Sequence, residues 1–150
     1  MKRMSKTSAG PGAECLKTLK RRAMEASRNA YAPYSRFPVG AAVMADDGTI
    51  YVGCNVENAS FGLTQCAERS ALTAAIAAGV PPGTLHTLLI YTPGGRIHPP
   101  CGACRQVMHE LMSEDGTVVS SCDADEVRTW SRSEHLPDPF RPEALNSGGN

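Results

Sequence analysis

Cys66-Ala67-Glu68-Arg69-Ser70-Ala71-Leu72-Thr73-Ala74-Ala75-Ile76-Ala77-Ala78-Gly79 reads as a helix with chemistry at its start. Alanine is the strongest helix former, and Gly79 supplies a stop. The composition predicts a helix over Ala67–Ala78. Cys66 then sits at a helix N-terminus, where partial positive charge favours a thiolate. A second such start is Pro100-Cys101-Gly102-Ala103-Cys104, which opens a predicted helix over Gly102–Met112. Three thiolates from two helix starts can hold one zinc and leave its fourth position open for water. An open position separates a catalytic zinc site from a structural one. Glu68, two residues past the first thiolate, is placed to move protons. A lone Cys-x-x-Cys would carry little weight; the full set carries much more.

The rest of the chain alternates helical and strand patterns. Leu16, Leu19, Ala23, Met24 and Ala30 form an apolar stripe over Glu14–Ala30, with Lys and Arg opposite. Tyr31–Pro38 holds two prolines and reads as a loop. Val39–Ala45 and Thr49–Val56 flank the turn Asp46-Asp47-Gly48 and predict a hairpin. Thr87–Thr92 reads as a buried strand. Val118–Ser121 and Val127–Trp130 are further strands, and Pro142–Leu145 a short helix. This order indicates a three-layer α/β/α sandwich around a mixed sheet. No internal repeat is present. A chain of 150 residues suits one domain, expected over residues 13–150 behind a disordered tail at 1–12.

Bulk properties exclude several classes. Formal net charge is zero, so nothing favours a phosphate backbone and no nucleic-acid partner is expected. No apolar run of about 18 residues offers a membrane span. The N-terminus lacks the apolar segment of a secretory signal. Six cysteines then read as reduced thiols of a cytoplasmic protein rather than disulfides. Cys15, Cys54 and Cys122 read as ordinary small buried or half-buried residues. His86, His98, His109 and His135 share no metal spacing and are expected on the surface or in loops. His98, just before the Pro99-Pro100 turn, is the one expected to approach the zinc, by accident of position rather than as a ligand.

A Cys or His, Glu two residues on, then Pro-Cys-x-x-Cys is the known signature of zinc nucleobase deaminases. Further blocks extend the match: Ala32-Pro33-Tyr34-Ser35-Arg36-Phe37-Pro38-Val39-Gly40-Ala41-Ala42, Gly53-Cys54-Asn55-Val56-Glu57-Asn58-Ala59-Ser60 and Leu136-Pro137-Asp138-Pro139-Phe140. In this order they resemble the small homotetrameric cytidine deaminases. Arg141 after Phe140, and His135 before Leu136, depart from the family pattern.

The resemblance implies a five-stranded core, bound Zn2+ and hydrolytic deamination of cytidine and 2′-deoxycytidine in pyrimidine salvage. Zinc would acidify a water, and Glu68 would pass protons from it to the ring nitrogen and the departing amine. Three thiolates on one dication leave a net negative charge, which Arg69 would offset by donating to the sulfurs, as in the family. Asn55 and Glu57, two apart in a predicted strand, share a face. The resemblance gives them hydrogen bonds to the ribose 3′-OH. It places Phe37 against the base, the Ala67 backbone at the base amide edge, and Tyr34 and Phe140 at pockets shared between subunits of a homotetramer.

Three other readings stay open from the sequence. One is a deaminase for a modified cytidine or an aminonucleoside antibiotic. Another is a structural zinc module, closed by Cys54 or Cys122 as a fourth thiolate and therefore inert. The third is an editing enzyme for polynucleotides, which would need a basic groove that the zero net charge does not support.

Overall fold

A computed structural model describes residues 10–146. Residues 1–9 of the expected tail lie outside the described residues. Helix α1 (Ala13–Ser27) leads into a hairpin of β1 (Gly40–Ala45) and β2 (Ile50–Cys54). Helix α2 (Ala67–Ala77), strand β3 (Leu85–Tyr91), helix α3 (Gly102–Leu111) and strand β4 (Met112–Ser121) follow. The chain continues through β5 (Val127–Ser131) and two short helices, α4 (Arg132–His135) and α5 (Glu143–Asn146). Strand order is β2-β1-β3-β4-β5, with β3 and β4 parallel and the other pairs antiparallel. The sheet is therefore mixed and five-stranded, as the resemblance implied.

Strand alternation builds the layers. Ala41 and Val43, Leu88 and Ile90, and Val118 face α2 and α3, where Ala71, Leu72, Ala75, Cys104 and Met108 complete one core. Ala42, Leu89, Tyr91 and Val119 point the other way and pack on Leu19 and Ala23 of α1. One helix covers one face and two cover the other. The α2 stop works as its composition requires: Gly79 takes φ 93°, and Val80 N–H returns to the Ala75 carbonyl at 3.1 Å. Among the described residues, no helix is long and apolar enough to cross a membrane.

Three local expectations change. Strand β4 begins at Met112 and not near Val118: Glu114-Asp115-Gly116 has the composition of a turn, but pairing of Met112 with Leu85 of β3 starts the strand before it. Its entry is irregular, with a register shift between Leu85 and Thr87. Strand β2 ends at Cys54, so Asn55 and Glu57 lie beyond it; Val56 alone bridges to Tyr31 and Gln65. Helix α4 went unread although its signal was there: Ser131-x-x-Glu134 is a capping box, with both reciprocal hydrogen bonds made.

His135 also departs from expectation. It is 3% exposed, and neither ring nitrogen has a hydrogen-bond partner. Its ring lies 4.6 Å from that of Trp130. Burial, helped by the Arg105 charge, pushes its pKa down to about 4. The unfolded chain takes up this proton near pH 6.5, the folded chain only near 4. Between those values the unfolded state holds more protons, so stability falls as pH drops through this window, by up to about 3 kcal/mol. Above it the effect vanishes. His135→Leu is expected to stabilise the chain by about 1–3 kcal/mol at neutral pH by removing unpaired buried polar atoms. It should also flatten the acid-side loss. Urea midpoints of both proteins at pH 7.5 and pH 5 test this; a gap between them that does not widen on acidification would contradict it.

Candidate active site

Gly53 of β2 sets how close α2 lies to the sheet. A Cβ there would meet the Ala71 backbone nitrogen at 2.4 Å and the Ala67 carbonyl oxygen at 2.7 Å. No other residue tolerates that approach. Cys66 is the N-cap of α2, Cys101 the N-cap of α3, and Cys104 lies in the first turn of α3. The three sulfurs all lie within 4.8 Å of one another. A tetrahedral zinc about 2.3 Å from each thiolate spaces them ~3.8 Å apart, so the donor set fits that ion in both chemistry and span. Cys54 and Cys122 are not part of the group, and among the described residues no fourth ligand joins it. The four-thiolate module lacks its fourth thiol.

Charge around the sulfurs is arranged to favour a dication. Arg69 Nη2 donates to the Cys66 Sγ at 3.5 Å and to the Thr64 carbonyl at 3.2 Å. Its Nε is buried and unpartnered. Hydrogen bonding from the Cys104 thiol, with Arg69 behind it, holds the Cys66 thiol well below its ordinary range. The same sharing, with burial, pushes Cys104 up. Thiolates are the metal-binding form, so a metal held here would displace any proton left on these sulfurs.

Glu68, one residue inside α2, is 6% exposed. Burial raises its pKa to about 7, and the neighbouring Cys66 thiolate adds to the rise. A metal on the thiolates would cancel the second contribution and leave the first. A carboxyl poised near neutrality can both take and give a proton.

A cavity of ≈ 220 Å³ holds these groups. Cys66, Glu68 and Cys101 line it, together with Phe37, Asn55 and Ala67. His98 lines it too, edge-on to Phe37 with ring centroids 5.3 Å apart. Of the four histidines it is the one the sequence expected to approach the metal, with no role assigned, and it does line the cavity with Cys66 and Cys101. Ser35, Thr64 and Thr92 also line the cavity; single hydroxyl residues in loops gave no signal. An adjoining cavity of ≈ 340 Å³ shares Ser35 and Thr64 and adds Tyr34, Glu57 and Phe61. The structure thus places Asn55 at one cavity and Glu57 at the next. Phe140 lines neither: it is 61% exposed, and its carbonyl accepts from Gln106 Nε2 at 2.9 Å.

Residues 13–121 match the family described as the cytidine and deoxycytidylate deaminase zinc-binding region. The chain belongs to this family. A cytidine deaminase of Halalkalibacterium halodurans is 44% identical over 124 residues, covering 83% of this chain and 92% of that protein. One from Sporosarcina psychrophila is 40% identical over 81% of this chain and 88% of its own length. The crystal structure of cytidine deaminase from Burkholderia pseudomallei superposes with a TM-score of 0.80 at 47% identity, covering 83% of this chain and 98% of that one. Zinc is the family's metal, and Cys66, Cys101 and Cys104 are positioned to bind it.

Proposed function

We propose that this chain hydrolyses cytidine and 2′-deoxycytidine to uridine and 2′-deoxyuridine, with release of ammonia. The observation that carries the proposal is a buried carboxyl, Glu68, beside three convergent thiols, at a cavity lined by Glu68, Cys66, Cys101 and Phe37. Relatives named cytidine deaminase support it. Zinc held by the thiols supplies Lewis-acid activation of water. Glu68 accepts a proton from the attacking water and delivers it to the ring nitrogen; it then takes the second proton from the hydroxyl now on the ring carbon and passes it to the departing amine. One carboxylate serves both roles because each step returns it to the state the next requires. Phe37 offers an aromatic face to a planar base. The Ala67 backbone and Asn55 border the same space, and Arg69 steadies the sulfurs.

The substrate test is ultraviolet absorbance with cytidine, 2′-deoxycytidine and deoxycytidylate in parallel. Conversion of both nucleosides well ahead of the nucleotide is expected. Preference for the nucleotide would overturn the nucleoside assignment and leave the zinc chemistry standing.

The proposal extends to a homotetramer in which Tyr34 and Phe140 reach a neighbour's cavity. Tyr34 (48%), Phe61 (74%), Leu63 (71%) and Phe140 (61%) leave large apolar side chains exposed, as an interface does. Sedimentation of an active sample as a single chain would contradict the assembly alone.

A further inference from the structure

The loop carrying Phe37 has little structure of its own. Residues 32–39 lie between α1 and β1 and form no ladder. Arg36 takes φ 56°, a left-handed conformation that costs a non-glycine residue energy and persists only when its surroundings fix it. Such a loop must still satisfy its backbone groups.

Following those groups leads to two side chains. Tyr34 N–H donates to the Glu57 carboxylate at 2.8 Å, and Ser35 N–H to both its oxygens at 3.3 and 3.2 Å. Val39 N–H donates to Asn55 Oδ1 at 2.8 Å, while Asn55 Nδ2 donates to the Phe37 carbonyl at 2.9 Å. Arg36 N–H reaches the Ala32 carbonyl, Phe37 N–H reaches the Ser35 hydroxyl, and Pro38 has no N–H. Thus Asn55 and Glu57 receive the amides of Tyr34, Ser35 and Val39. Backbone bonds fix the two residues in turn: Asn55 N–H to the Val39 carbonyl at 3.2 Å, and Glu57 N–H to the Tyr31 carbonyl at 2.8 Å. Asn55 is 9% exposed, so its amide contacts are shielded from competing water.

We propose that Asn55 and Glu57 are positioning residues, which hold the Phe37 loop against the metal cavity before any ligand enters. The inference rests on the deaminase reading for its consequence in turnover, and on the hydrogen bonds alone for its structural part. Each side chain keeps capacity for a ligand as well: Asn55 has a second N–H and a second lone pair, and Glu57 has unused lone pairs. Sugar contact and loop clamping are compatible. They differ in what happens when the hydroxyl is taken away.

Wild type and Asn55→Ala are compared on cytidine and on 3′-deoxycytidine, with amide hydrogen exchange of both ligand-free proteins. Glu57→Gln, which keeps one acceptor oxygen, serves as a milder second variant. If Asn55 clamps the loop, its loss still lowers kcat/KM on 3′-deoxycytidine by about 10- to 100-fold, through misplacement of Phe37. Exchange at Val39 speeds up, while Leu89 and Val119 in the sheet stay protected. Glu57→Gln should speed exchange at Tyr34 and Ser35 with a smaller loss in rate. Equal kcat/KM for wild type and Asn55→Ala on 3′-deoxycytidine would overturn the proposal, because Asn55 would then act only through the hydroxyl. Unchanged exchange at Val39 would overturn it as well. A wild type inert on cytidine would count against the deaminase reading, and the ligand-free exchange would still decide whether the clamp exists.

Discussion

Glu68→Gln is expected to keep its zinc and its fold while losing roughly 10²- to 10⁴-fold in kcat, the range spanned by a positioned general acid–base group. Glutamine has the size and shape of glutamate but cannot exchange protons. Glu68 is not one of the three sulfur ligands, so metal content should be unchanged. The residue is buried, with its pKa raised to about 7 mainly by that burial. A neutral amide therefore removes a cost rather than adding one, and melting should hold steady or rise. KM should move little, because the lost interaction belongs to the reaction and not to binding. Steady-state kinetics, metal analysis and thermal melting on one preparation check all three. A variant running near the wild-type rate would take Glu68 out of the mechanism.

Cys101→Ala is expected to lose zinc, activity and stability together. Cys101 is exposed in the chain and caps α3, whereas Cys104 is fully buried. Truncating Cys101 thus removes little packing, and a large fall in stability must come from the metal. The metal ties the starts of α2 and α3, so its binding energy is folding energy. With free zinc at about a thousand times its Kd, that linkage is worth about 4 kcal/mol. The variant should melt where chelator-treated wild type melts, and added zinc should shift only the wild type. Full zinc occupancy with an unchanged melting temperature would reject Cys101 as a ligand.

The metal centre was legible because its information is local. Cys66 and Glu68 are fixed by one helix start, and Cys101 and Cys104 by another. Both helices begin where alanine content and spacing place them. The hairpin was legible for a similar reason: Asp47 Oδ1 accepts from Thr49 N–H at 2.9 Å, and Gly48 takes φ 83°. The five-strand sheet came from the resemblance, since strand order depends on crossovers that no local pattern records.

What failed to read out depends on distant neighbours. Polar residues open β4, and Met112 pairs there only because β3 lies alongside. His135 looked like a surface residue because histidine is polar, and nothing in Glu134-His135-Leu136 shows that Trp130 will cover it. Asn55 and Glu57 looked like strand residues facing a ligand. The loop that engages them lies some twenty residues earlier, and only the folded chain brings the two together. Ser131-x-x-Glu134 was a missed local signal of the ordinary kind.

The most direct measurement strips the metal with a chelator, returns zinc in steps, and follows cytidine absorbance and ammonia release on the same samples. Activity should rise in proportion to bound zinc and level off at one ion per chain, with one ammonia formed for each cytosine lost. One zinc bound per chain without loss of cytidine would contradict the account.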